Sequence, residues 1–131
     1  MTRFAATRRS CCFCILAVAV SACASETIRP GTPREVTSQN INPFELHEEC
    51  VKMMPGDWLV YRFTAQRPVA FNIHYHEGKT VVMPVAKDNV TTDDATFRPL
   101  IAQEYCLMWE AGREGAIIEY RIALSRGPAL K

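Results

Sequence analysis

The chain has 131 residues, 48% of them hydrophobic and 22% charged, with a formal net charge of +1, which suits one compact domain and excludes a two-domain enzyme or a large cofactor fold. No cluster of lysine and arginine marks the body, so the phosphate-neutralising footprint of a nucleic-acid binder is missing and nucleic acid is not an expected partner. Six cysteines and an apolar N-terminal run point instead to export into an oxidising compartment.

Met1 to Ser10 carry Arg3, Arg8 and Arg9 without an acid, and Cys11 to Val20 are apolar. These are the charged and hydrophobic regions of an export signal. Ten apolar residues rise only about 15 Å as a helix, half of a bilayer's hydrocarbon thickness, so a permanent transmembrane span is disfavoured. Val20-Ser21-Ala22-Cys23 follows, and it resembles the lipobox of bacterial lipoproteins. The resemblance implies removal of 1–22 as a signal peptide and acylation of Cys23, which anchors the protein to a membrane. Ala24 follows the cysteine where an aspartate would signal inner-membrane retention, so the expected location is the outer membrane, facing the periplasm. Loss of three arginines leaves twelve basic and fourteen acidic residues, a net charge of −2.

Cys11, Cys12 and Cys14 leave with the signal and Cys23 takes lipid, so Cys50 and Cys106 remain. Two thiols in an oxidising compartment pair by default. Such a bond is expected to clamp two layers of sheet together. The stretch 23–43 holds Pro30, Gly31, Pro33 and Pro43 with few apolar residues, and reads as a flexible tether. The folded domain then covers 44–126, with 127–131 as a tail.

Within it the hydrophobic pattern has period two. Leu46 to Met53 is a first strand, and Met54-Pro55-Gly56-Asp57 has the composition of a turn. Leu59, Tyr61 and Phe63 share one face of a second strand. Val69, Phe71, Ile73 and Tyr75 share one face of a third, with Ala70, Asn72, His74 and His76 on the other. Glu77-Gly78 turns into Thr80 to Val85, the polar stretch Lys87 to Asp94 reads as a loop, and Phe97 to Ile101 as a short strand broken by Pro99. Glu104 to Glu110, the turn Gly112 to Gly115, and a last strand around Ile118 to Leu124 complete the chain. Short strands at this spacing predict an all-β fold, a small antiparallel two-sheet β-sandwich.

The succession of Cys50, Pro55-Gly56-Asp57-Trp58-Leu59-Val60-Tyr61-Arg62-Phe63, Val69-Ala70-Phe71-Asn72-Ile73 and Tyr105-Cys106-Leu107-Met108-Trp109 resembles the GOLD domain, a β-sandwich of Golgi cargo receptors and some lipid-transfer proteins. The resemblance implies a disulfide between Cys50 and Cys106. The cargo role does not transfer with it, because a fold does not fix a function.

Candidate chemistry is sparse. His74 and His76, at i and i+2 on the outer face of one strand, form a bidentate grip for copper or zinc, with Glu77 or His47 as a further donor. A blue-copper site is excluded because no histidine follows Cys106. Serine catalysis lacks a serine inside the domain, since Ser25 and Ser38 lie in the tether and Ser125 at the frayed end. Glu48/Glu49 and Asp93/Asp94 are adjacent on strands, so their carboxylates point to opposite faces and cannot flank one bond. Asp88, Asp93 and Asp94 match no calcium-loop spacing. The expected function is that of a non-enzymatic, cofactor-free binding or accessory module with an envelope protein as partner; the alternative is periplasmic metal binding through His74 and His76.

Overall fold

The computed structural model describes residues 27–128. The expected signal peptide, the lipidation site Cys23 and residues 129–131 lie outside the described residues. Six antiparallel strands follow: β1 (Arg34–Ile41), β2 (Leu46–Met53), β3 (Trp58–Glu77), β4 (Thr80–Phe97), β5 (Gln103–Ala111) and β6 (Ala116–Ser125). Among the described residues there is no helix.

The architecture turns on β3. The two expected strands at 59–64 and 69–76 are one strand of 20 residues. Its first half pairs β6, from Trp58 opposite Ser125 to Ala65 opposite Ile118. Its second half pairs β5, from Val69 opposite Ala111 to His74 opposite Cys106. The neighbour changes at Gln66-Arg67-Pro68, where Pro68 has no N–H to donate. There 65–68 of β3 face only Thr91 of β4, an irregularity of the kind that bends a strand. The turns at 42–45 and 112–115 carry the chain between the same two halves. β2 and β5 thus flank one half of β3, β1 and β6 flank the other, and the hydrogen-bonded order is β1-β6-β3-β5-β2 with β4 along β3.

All six strands belong to one curled sheet. Inward side chains from both halves form a single core in which Phe63 touches Phe71 and Trp109, with ring centroids 4.8 and 5.8 Å apart.

Three sequence expectations need correction. Arg34–Ile41, read as tether, is a strand hydrogen-bonded to β6, and Ile28 before it is buried in the core. Lys87 to Asp94, read as a loop, belongs to β4. It pairs β3 through backbone groups despite its polar side chains, and Asn89, with φ of 54°, takes up an irregularity in the pairing. Phe97 to Ile101 is no strand: β4 ends at Phe97 and the chain loops through Pro99 to β5.

Cys50 and Cys106 are joined, as expected, but not across layers. They face each other on neighbouring strands β2 and β5, with Cα atoms 4.0 Å apart, and the bond staples two strands of one half.

Candidate functional site

The outer face of the β2-β5-β3 half carries the predicted histidine pair. His76 is exposed, whereas His74 is 5% exposed and therefore not the solvated grip that alternation suggested. Its Nδ1 lies 2.8 Å from Asn72 Oδ1 and its Nε2 lies 3.2 Å from Glu48 Oε1. Both ring nitrogens are thus engaged, and a metal would have to displace one partner. The His74 and His76 rings meet edge to face at 5.3 Å. His47, the proposed extra donor, lies on the opposite face of β2, stacked on Trp109. Glu48, His74 and Cys106 bring potential donor atoms within 4.8 Å of one another, but the Cys106 sulfur is spent in the disulfide and offers no thiolate.

Two polar clusters close the seams where the sheet halves meet. At the β1–β2 seam, Tyr120 Oη donates to Glu49 Oε1, Arg34 Nε donates to the same oxygen at 2.9 Å, and His47 Nε2 lies 2.9 Å from Tyr120 Oη. Burial pushes the Glu49 carboxyl up, but the hydrogen bonds from His47, Tyr120 and Arg34 outweigh it and hold the group at about 2. Burial and the bond to Glu49 push the Tyr120 phenol well above its ordinary value.

The β4 seam repeats the chemistry. Tyr61 Oη donates to Asp93 Oδ2 at 2.9 Å and Lys87 Nζ donates to Oδ1 at 2.7 Å. Burial raises Asp93, and the bonds from Lys87 and Tyr61 overcome it and hold the carboxyl below its usual range. Each seam thus holds a protonated phenol, an ionised carboxylate and a cation. Such a set is a latch: neither the carboxylate nor the phenol is poised to trade a proton near neutral pH.

The turn between β1 and β2, Asn42-Pro43-Phe44-Glu45, is different. Glu45 N donates to Asn42 O at 3.0 Å, and Phe44 has φ of 60°. A left-handed residue after proline is the arrangement of a type II turn, whose third position favours glycine or asparagine because a Cβ is crowded there. Here it is a phenylalanine 73% exposed to solvent. The turn is held rather than loose: Phe44 N donates to Gly112 O at 3.2 Å, Ala111 N to Glu45 O at 3.0 Å, and Asn42 Nδ2 to Glu45 Oε2 at 2.8 Å. Leu46, 56% exposed, adjoins it on β2. Sequence reasoning passed over Phe44 as the first residue of the domain, although Asn-Pro is a turn signal and would have placed the aromatic at the strained position.

A depression of about 450 Å³ lies over the β1-β6-β3-β4 face, edged by Glu35, Arg121, Arg62, Asp94, Thr64 and Glu119. Its charges alternate and partly satisfy one another, Arg121 on Glu35 at 2.5 Å and Thr64 on Glu119 at 2.9 Å. It reads as a solvated sheet face.

No protein-family model matches the sequence, and no curated protein does. Among solved structures the chain is similar to a de novo designed double-stranded β-helix determined by solution NMR, at 25% identity over 70% of this chain and 99% of that one, with a TM-score of 0.38.

Proposed function

We propose that the protein is a lipid-anchored, non-enzymatic binding module of the cell envelope that docks on a protein partner through the Phe44 turn. The observation that carries this reading is Phe44 itself: an aromatic at φ of 60°, 73% exposed, on a turn fixed by four hydrogen bonds. A left-handed conformation costs an L-residue about 1–2 kcal/mol, and a side chain left in water recovers little of it. Strain of this kind collects at functional positions, and aromatic side chains on rigid supports are preferred anchors in protein interfaces. The anchoring half rests on Val20-Ser21-Ala22-Cys23 and its lipobox resemblance, with the outer membrane and periplasm as the proposed setting. The seam clusters support a binding role, because their carboxylates are tied to cations and their phenols stay protonated. We read the two halves of the curled sheet as the layers of a GOLD-like sandwich, the stacking of Trp109 on Tyr120 at 4.9 Å being the contact that supports it.

The test is photo-crosslinking in living cells with a benzophenone amino acid at position 44 and, as a control, at Arg62 on the polar face. A discrete protein adduct from position 44 alone is expected. Equal adducts from both positions, or none from 44, would overturn the docking role. Cys23→Ser is expected to release the protein from membranes.

A further inference from the structure

The end of the sheet opposite Phe44 is built differently. Here β2 stops at Met53, β3 starts at Trp58, β4 ends at Phe97, β5 begins at Gln103 and the β3–β4 hairpin tip returns. Three large apolar side chains are exposed: Met54 at 56%, Ile101 at 40% and Leu100 at 90%. Met54 and Ala102 line one depression of about 450 Å³. The loop bearing Leu100 and Ile101 is fixed, since Tyr105 Oη donates to Ile101 O at 3.0 Å, and Arg98 stacks over the Trp58 ring at 5.5 Å. Arg29, Lys52 and Arg126 edge the same end and Lys79 lies on the hairpin tip. Asp57, Glu77 and Glu104 offset part of this charge, but Asp57 is buried and paired with Arg126.

Chain length keeps an anchor at Cys23 close to the Leu100 end. Ile28 is buried, and Pro30 bridges Leu124 near the end of β6. Five peptide units separate Cys23 from Ile28, and five units span at most about 17 Å. From Pro30 the chain turns and β1 runs the other way for eight residues, about 25 Å, before it reaches the Phe44 turn. A membrane that holds Cys23 is therefore within reach of the Leu100 end, beside which Pro30 lies.

We propose that the Met54–Leu100–Ile101 end is a membrane-docking surface that seats its apolar tip in the lipid interface while its cations meet anionic headgroups. This rests on the anchoring reading and adds an orientation to it. Apolar side chains ringed by lysine and arginine match an interface whose acyl boundary lies below charged headgroups. The seat fixes the domain upright and presents Phe44 away from the bilayer.

The experiment uses the acylated protein in vesicles of phosphatidylethanolamine and phosphatidylglycerol, with a benzophenone amino acid at position 100 or at position 44 and lipid adducts read by mass spectrometry. Lipid adducts several-fold more abundant from position 100 than from 44 are expected, and Arg29→Glu with Arg98→Glu is expected to reduce them several-fold. Equal yields at both positions, none at 100, or yields unmoved by charge reversal, with the protein still sedimenting with the vesicles, would overturn docking while leaving the anchor intact. Protein that does not sediment would overturn both.

Discussion

Phe44 offers a sign test that ordinary packing does not. In most exposed positions alanine is the more stable replacement, because glycine loses more backbone freedom on folding, a difference of about 0.5–1 kcal/mol. At φ of 60° the order should invert. Phe44→Ala keeps the Cβ and its crowding, about 1–2 kcal/mol, whereas Phe44→Gly removes it. Both variants lose the same buried quarter of the ring, about 0.5 kcal/mol when scaled from the value of a fully buried phenylalanine. The glycine variant is therefore expected to be more stable than the alanine variant by about 0.5–1 kcal/mol, and close to the parent protein. Urea unfolding resolves this: with a slope of about 1–2 kcal/mol per molar for a domain of this size, the midpoints should differ by about 0.5 M. Both variants should lose the crosslinked partner. An alanine variant as stable as the glycine one would refute the strain argument, and with it the reason for assigning Phe44 a purpose beyond the fold.

Glu49, held at about 2 by His47, Tyr120 and Arg34, contributes stability that is fully present above its unfolded pKa and is lost as pH falls through about 2. Glu49→Gln should flatten acid unfolding between about pH 4.5 and 2 and cost about 1–2 kcal/mol at neutral pH once solvent screening is allowed for; an unchanged acid transition would refute the latch. Removing the Cys50–Cys106 bond, whose partners are 56 positions apart, should cost up to about 4 kcal/mol in the chain-entropy model, read as a fall in the urea midpoint. Gly127→Ala places a Cβ 2.3 Å from Gly56 O and should lower stability by about 1–3 kcal/mol, detected as a lower melting temperature. The metal alternative requires copper or zinc uptake that His74→Ala with His76→Ala abolishes; calorimetric titration decides it, and the engaged nitrogens of His74 predict no uptake at stoichiometric metal.

What was legible in the sequence is what side-chain alternation alone determines. Leu46 to Met53 and the Val69 to Tyr75 face are found where the pattern puts them, because the apolar face of each strand is turned into the core. β1 was illegible for a physical reason: it is an edge strand, its inward positions include Arg34 and Gln39, and a register shift between Val36 and Gln39 breaks the period. β4 hid in the same way, with one strand neighbour along its length. The burial of His74 on an outward position depends on Glu48 and Asn72 beside it, and no spacing within one strand encodes that. Nor does net charge reveal that cations gather at one end. The seam latches join residues 6 to 73 positions apart, and they exist only once the sheet has curled.

The distribution of cost across the molecule supports the two-ended reading. Along the waist the charged groups are paired: Glu49 and Asp93 each accept bonds from a cation and at least one further donor, and the aromatic core between them is closed. Among the described buried side-chain polar atoms, Trp109 Nε1 alone lacks a partner, and its ring packs against His47 and Tyr120, which also touch each other. Departures from local preference gather instead at the ends. One end holds a strained aromatic where glycine belongs, and the other holds a leucine 90% exposed on a loop that a tyrosine fixes in place. Each buries little of its side chain, and each sits on a loop held by hydrogen bonds. Proteins break local rules mainly where function requires it. Exposed apolar side chains at two opposite ends of a domain whose middle is paired are what the proposed docking, on a protein at Phe44 and on lipid at Leu100, requires.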